Sequence, residues 1–371
     1  MRNKLLSFST FIFILSFLAF LSPMTAQAAP QSICVSSPGG GDWAAPTTWL
    51  FCAGGVPGPA DDVAIQGGAP VVISAPASAA NVTISGPGFL DLEANLSANS
   101  LTIDPFGVFT CGTNSITLQG NFTNSGLFVC PSGTVIFSGS TQNLAANSVT
   151  TFNNLTVNSG AILVETVSAD NVLVSGSLTN NGVIRKSQNI PGTGIYTFGL
   201  AGGPVNGANV GIQVTTDNFV NITLDRISQN HPQRTGAGAP PLPGVGWERY
   251  WHIAAIGSGT ANVTLPHSAP DDSLTQACRY ITGAGAGWDC SRSSSTSNTV
   301  TRAGVNAFSD WAVGYSVNPT AVNLSRLEAR PAGMGTAEAS GLLGLALLVC
   351  TSIILVTKKA MILAARSNRG S

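Results

Sequence analysis

The sequence predicts an all-β protein: a parallel β-solenoid (β-helix) followed by an antiparallel β-sandwich, with a C-terminal transmembrane helix. Three observations carry this. Charged residues make up 9% of the chain, against about 25% in an average soluble protein, while glycine fills 42 positions. A short apolar triplet returns at a nearly constant interval between Asp62 and Lys186. Finally, an uncharged apolar run from Ser340 to Thr357 ends against Lys358 and Lys359. Gly, Ser, Thr, Asn and Val crowd out good helix formers. With 44% hydrophobic residues the chain is too apolar for disorder, and a formal charge of −1 leaves no basic surplus for neutralising nucleic-acid phosphates.

The two ends read as addresses. Residues 1–28 carry Arg2 and Lys4, an apolar run from Leu5 to Leu21, and Ala26-Gln27-Ala28, the pattern of a cleaved signal peptide. Residues 340–357 would form ~27 Å of helix, enough to span a bilayer. The basic tail, 358–371, marks the cytoplasmic side, so the body faces outward and the membrane is the expected partner. The spacer, 319–339, contains the small-residue stretch PAGMGTAEAS, which would also suit clipping during attachment, although no LPxTG motif is present.

The triplets are Val63-Ala64-Ile65, Val82-Thr83-Ile84, Leu101-Thr102-Ile103, Ile116-Thr117-Leu118, Val135-Ile136-Phe137, Leu155-Thr156-Val157 and Val172-Leu173-Val174, at spacings of 19, 19, 15, 19, 20 and 17. Apolar outer positions around a mostly polar or small middle describe a strand with one buried face. A period near 19 made of short strands and turns describes a solenoid over residues 63–190, each turn burying its inner side against the next. Evenly spaced sandwich hairpins are the alternative. Against them stand two pentads 19 residues apart, Gly107-Val108-Phe109-Thr110-Cys111 and Gly126-Leu127-Phe128-Val129-Cys130. Cysteines in register on adjacent turns lie ~5 Å apart, within disulfide range.

Of the seven cysteines, Cys350 falls in the apolar run. The other six fall into three neighbouring pairs, Cys34 with Cys52, Cys111 with Cys130 and Cys278 with Cys290. An even count reads as disulfides of an oxidising compartment. Of the 15 connectivities six cysteines allow, pairing by neighbourhood is the expectation, supported by the repeat for Cys111 with Cys130.

Residues 29–62 precede the first turn and contain Trp43, Trp49, Asp61 and Asp62. A solenoid end exposes strand edges and core, and two tryptophans on a stapled loop would cover it. The functional alternative is a sugar-stacking platform of Trp43 and Trp49, with Asp61 and Asp62 holding calcium. The segment GDWAAPTTW…GGVPGPADDVAI resembles the N-terminal part of secreted bacterial surface proteins with right-handed, pectin-lyase-like β-helices. That resemblance covers about residues 40–185 and implies right-handed coiling, but no catalytic residue. Polysaccharide lyases of this architecture need a basic residue, and no Lys or Arg occurs between Leu5 and Ile184.

After Arg185-Lys186 the strands lengthen, as in Asn218–Asp225, Tyr250–Ala255 and Thr260–Leu265, and seven of them predict a sandwich over residues 191–318. The runs Arg249-Tyr250-Trp251-His252-Ile253 and Phe308-Ser309-Asp310-Trp311-Ala312-Val313-Gly314 resemble a C-terminal β domain of similar surface proteins, which implies no established activity.

Little in the chain reads as catalytic. His231, His252 and His267 lack metal-ligand spacing, and GxSxG, HExxH, P-loop and CxxC motifs are absent. Asp91 and Glu93 are the least implausible carboxylate pair for glycan hydrolysis. The expectation is a non-enzymatic cell-surface protein serving adhesion or envelope structure, with no cofactor and no nucleic-acid partner. A carbohydrate-binding module is the alternative, with an extracellular glycan or surface protein as ligand, and a glycan-cleaving enzyme ranks last.

Overall fold

The computed structural model describes residues 32–166, 172–198, 209–216, 218–233, 249–267 and 275–315. All of them belong to one compact unit that ends at Val317. The signal peptide, the spacer, the membrane helix and the cytoplasmic tail expected from sequence lie outside the described residues. Among those residues no helix is long and apolar enough to cross a membrane.

The N-terminal part is a parallel β-solenoid of about six turns. From Ala77 to Val129 each turn visits three sheets in the same order. Sheet I stacks the first halves of Ala77–Ile84 and Leu96–Ile103, then Ser115–Leu118, Thr134–Phe137, Asn154–Val157 and Leu178–Asn180. Sheet II stacks Ile33–Ser36, Asp62–Ile65, the second halves of the two long strands, Phe122–Asn124, Gln142–Ala146, Ile162–Glu165 and Val183–Asn189. Sheet III stacks Gly41–Asp42, Pro70–Ile73, Phe89–Leu92, Val108–Thr110 and Leu127–Val129, and a separate pair, Thr150–Phe152 with Val172–Val174, follows.

Alternation decides which residues fill the core. Leu101 and Ile103 are fully buried around a half-buried Thr102, and the same pattern recurs turn after turn. The inward column of sheet II reads Cys34, Val63, Val82, Leu101, Phe122, Leu144. In the later turns phenylalanines take over: Phe109 stacks on Phe128 at 5.4 Å, and Phe122 and Phe152 meet Phe128 edge-on. Gly88, Gly107 and Gly126 hold one corner of successive turns. A Cβ there would strike the carbonyl oxygen of Ile65, Ile84 or Gly107, respectively.

One register expected from the sequence is corrected. Ile116 does not continue the column of Leu101; Leu101 stacks on Phe122, and Ile116 stacks on Leu96. Likewise Val172 stacks on Thr150, while Leu178 follows Leu155. The two irregular spacings, 15 and 17, are therefore changes of sheet and not short turns. The first change arises because Ala77–Ile84 and Leu96–Ile103 each carry two inward pairs, one on sheet I and one on sheet II, and the second because Val172–Val174 joins the separate pair with Thr150–Phe152. The pentads do align as expected, with Val108, Phe109 and Thr110 opposite Leu127, Phe128 and Val129.

All three expected cysteine pairs are at bonding distance, with Cα separations of 4.3 Å for Cys34–Cys52, 4.9 Å for Cys111–Cys130 and 4.0 Å for Cys278–Cys290.

The solenoid hands over to antiparallel pairing within a single strand. Val183–Asn189 pairs parallel with Ile162–Glu165 on one side and antiparallel with Phe219–Ile227 on the other. The sheet continues through Tyr250–Gly257, Asp310–Tyr315, Thr275–Ile281 and Gly287–Ser291. A second antiparallel sheet orders Gly194–Phe198, Val210–Thr216, Thr260–Pro266, Thr299–Val305 and Ser294–Ser295. Leu224, Trp251 and Trp311 of the first sheet and Ile212, Val263 and Val300 of the second belong to one buried cluster.

Cys111→Ser and Cys130→Ser are each expected to cost about 2–4 kcal/mol in denaturant melts, with the double variant no worse than either single. Gly133→Ala should be destabilising as well, because its Cβ would strike Cys111 Sγ and the Asn114 carbonyl oxygen.

Candidate functional site

The N-terminal cap holds four of the sequence-predicted site residues, and it is closed. Trp43 and Trp49 are 4% and 6% exposed, pack edge to face at 4.9 Å, and are joined by a 2.7 Å hydrogen bond from Trp49 Nε1 to the Trp43 carbonyl. The alternative in which they face a ligand is corrected: the rings are buried in the core cluster of the first turns, and a buried indole cannot stack on sugar.

Asp61 is a loop lock. One oxygen accepts from the Ser32 amide at 3.0 Å and the Ser32 hydroxyl at 2.6 Å, and the other accepts from the Gly58 amide at 2.9 Å. Led by the Ser32 hydroxyl, these bonds hold its pKa below the ordinary carboxylate value. Asp62 accepts from Asn81 Nδ2 at 2.7 Å. The one ligand-type cluster among the described residues is Cys34, Cys52 and Asp61. Its two sulfurs are bonded to each other, so they offer no thiolates, and the calcium reading of Asp61 and Asp62 finds no preformed cage there.

The outer surface of sheet I is a grid of neutral hydrogen-bonding groups, and sheet II adds a column of threonines between the strands that carry the charged Asp62 and Arg185. Ser78, Ser97 and Thr117 stack outward on sheet I, with Thr156 and Thr179 further along beyond Ile136. On sheet II the outward column holds Thr83, Thr102 and Thr123. Strand spacing sets these side chains ~4.8 Å apart along the solenoid. Over sheet I lies a trough of about 160 Å³, walled by Ser78, Ser97, Thr117, Asn99 and Gln119 and floored by Ala79 and Ala98, with no charged residue in its lining. Small-molecule sites usually occupy about 300–1,000 Å³, so this trough suits part of an elongated ligand better than an engulfed substrate.

The structure also assembles a site that sequence reasoning missed. His231 and His252 share the carboxylate of Asp310, at 2.9 Å and 2.6 Å. The Gln233 amide donates to His231 Nδ1 at 3.1 Å, which places the ring proton on Nε2, facing Asp310. Tyr250, Tyr280 and Trp288 surround the buried His231 ring with centroids 4.8–5.1 Å away. Burial, reinforced by Asp310 and Asp225, pushes the Tyr250 phenol up. His252 donates from Nδ1 and leaves Nε2 toward solvent. A carboxylate orienting an imidazole in this way is a general-base arrangement, but among the described residues no nucleophile is hydrogen-bonded to that nitrogen.

The two runs noted in the sequence turn out to be neighbours, with His252 opposite Asp310 and Trp251 opposite Trp311. Nothing local marked His231, which lies 79 residues from Asp310. Of the pair Asp91 and Glu93, Asp91 lies on the outer side of sheet III and Glu93 falls just past the strand's end at Leu92; Asp91 accepts from the Thr110 hydroxyl of the next turn and serves the stack.

Searches against family models, curated proteins and solved structures return no match for this chain.

Asp61→Asn is expected to lower the melting temperature at pH 7, because an amide nitrogen would face the Gly58 amide or the Ser32 donors. A carboxylate with a depressed folded-state pKa contributes above its ordinary value of 3.8 and loses that contribution as pH falls below it. Melts repeated at descending pH should therefore show the gap between wild type and variant closing below that value.

Proposed function

We propose that this is a non-enzymatic cell-surface protein that displays a rigid β-solenoid for adhesion, backed by a β-sandwich and exported and tethered by its two terminal segments. The observation that carries this reading is the uncharged outer face of sheet I, with its Ser, Thr, Asn and Gln side chains and its trough. Such a surface has no charge with which to polarise a bond or hold a catalytic proton. What it offers is a regular array of donors and acceptors on a backbone fixed by cross-strand hydrogen bonds. Right-handed coiling, as in the pectin-lyase-like helices that the cap segment resembles, belongs to the same proposal.

A carbohydrate ligand is the second reading, and the trough favours it over the cap. Hydroxyls and amides at the strand repeat suit a neutral polyol chain, whereas the tryptophans first considered for that role are buried.

Two experiments test the proposal. Protease treatment of intact cells should release body fragments if the solenoid is displayed. Attachment of cells, or retention of the purified protein on neutral polysaccharides, should fall at least tenfold in Thr117→Lys, which fills the trough, with an unchanged melting temperature. Equal attachment by wild type and Thr117→Lys would remove the trough from the proposal.

A further inference from the structure

The inward column of sheet II is apolar from Val63 to Leu144 and then changes character. Its next two positions are Glu165 and Lys186, Cα partners on the adjacent parallel strands Ile162–Glu165 and Val183–Asn189. Their exposures are 2% and 6%. Neither carboxylate oxygen of Glu165 has a hydrogen-bond partner, and among the described residues no ion pair joins it to Lys186. A buried acid and a buried amine, side by side and without a salt bridge, form a costly arrangement.

We infer that Glu165 and Lys186 are a modification site, joined after folding by an isopeptide bond. The strands lie ~4.8 Å apart, and the four-carbon lysine stem and two-carbon glutamate stem easily bridge that gap. The reaction is a condensation that needs no oxidant or cofactor. One proton passing from the ammonium to the carboxylate yields the neutral amine and acid. Burial makes that transfer less costly than in water by pushing Glu165 up to about 7 despite the attraction of Lys186. The amine nitrogen then bonds to Cδ, the Cδ–OH bond breaks, and the hydroxyl leaves as water with a proton from nitrogen. In bulk water, hydration of the free ions opposes this step. Inside the solenoid those ions are poorly solvated, and the neutral amide removes both ionisable groups at once.

The position gives the bond a use. The solenoid disulfides staple the cap and the middle turns, at Cys34–Cys52 and Cys111–Cys130. An amide between residues 165 and 186 would staple the last turn to the strand that continues into the antiparallel sheet.

The test is the intact mass of the purified, disulfide-reduced chain. Wild type should be lighter than its sequence by one water. Lys186→Arg and Glu165→Ala should each match their sequences, and proteolysis of wild type should yield one branched peptide linking positions 165 and 186. Wild type alone decides the matter should a variant fail to fold. A wild-type mass equal to the sequence, or a water deficit that persists in Lys186→Arg, would overturn the inference.

Discussion

Everything in the solenoid depends on in-register stacking: each inward side chain must lie on its counterpart one turn away. Parallel hydrogen bonding holds the turns at ~4.8 Å, close to the thickness of an aliphatic or aromatic side chain. A column such as Val82, Leu101, Phe122 and Leu144 is therefore in contact along its length. The backbone corners follow from the same demand. Gly88, Gly107 and Gly126 recur because the carbonyl of an adjacent turn passes where a Cβ would stand. The cysteines of the two pentads meet because they occupy one slot in successive turns, just beyond the stacked Phe109 and Phe128.

A stack has two ends, and each is solved differently. At the N-terminal end Trp43 and Trp49 close the core, while Asp61 ties the Ser32 and Gly58 backbones together. At the other end no separate cap exists among the described residues. Val183–Asn189 presents its free edge to Phe219–Ile227, so the exposed ladder becomes the first strand of an antiparallel sheet. The apolar column gives way to Glu165 and Lys186 at this hand-over, where a turn has a solenoid neighbour on one side only.

How much of this the sequence discloses depends on how local each signal is. Period-two alternation, the 19-residue return and the paired pentads are local or repeated, and the solenoid and its cysteine pairs were legible from them. The assignment of triplets to sheets was not, because Leu96-Ser97-Ala98 and Leu101-Thr102-Ile103 lie on one continuous strand that bends across two sheets. An alternation count cannot see such a bend. Trp43 and Trp49 read first as a cap, yet the sequence left a sugar platform open as the alternative, since a tryptophan's burial depends on a partner ring and not on its own neighbours. The His231–Asp310–His252 cluster was hidden for another reason. It joins a loop residue to two strands that become neighbours only once the antiparallel sheet forms.

The scarcity of charge follows from the same stacking. A side chain on a solenoid face meets its equivalent in the turns above and below, so a charge repeated with the period would repel itself every ~4.8 Å. Serine, threonine and asparagine escape this because each can donate to one neighbour and accept from the other. Asn81 does so in donating to Asp62 while accepting from Asn99. Two of the acids in the turns are given a hydroxyl from the adjacent turn, Ser85 for Asp104 and Thr110 for Asp91. The low charge content that first suggested an unusual architecture thus agrees with the ladder, and the outer face of sheet I carries no charge in its trough. What that trough offers to its surroundings is therefore hydrogen bonding and shape, without an ionic contribution.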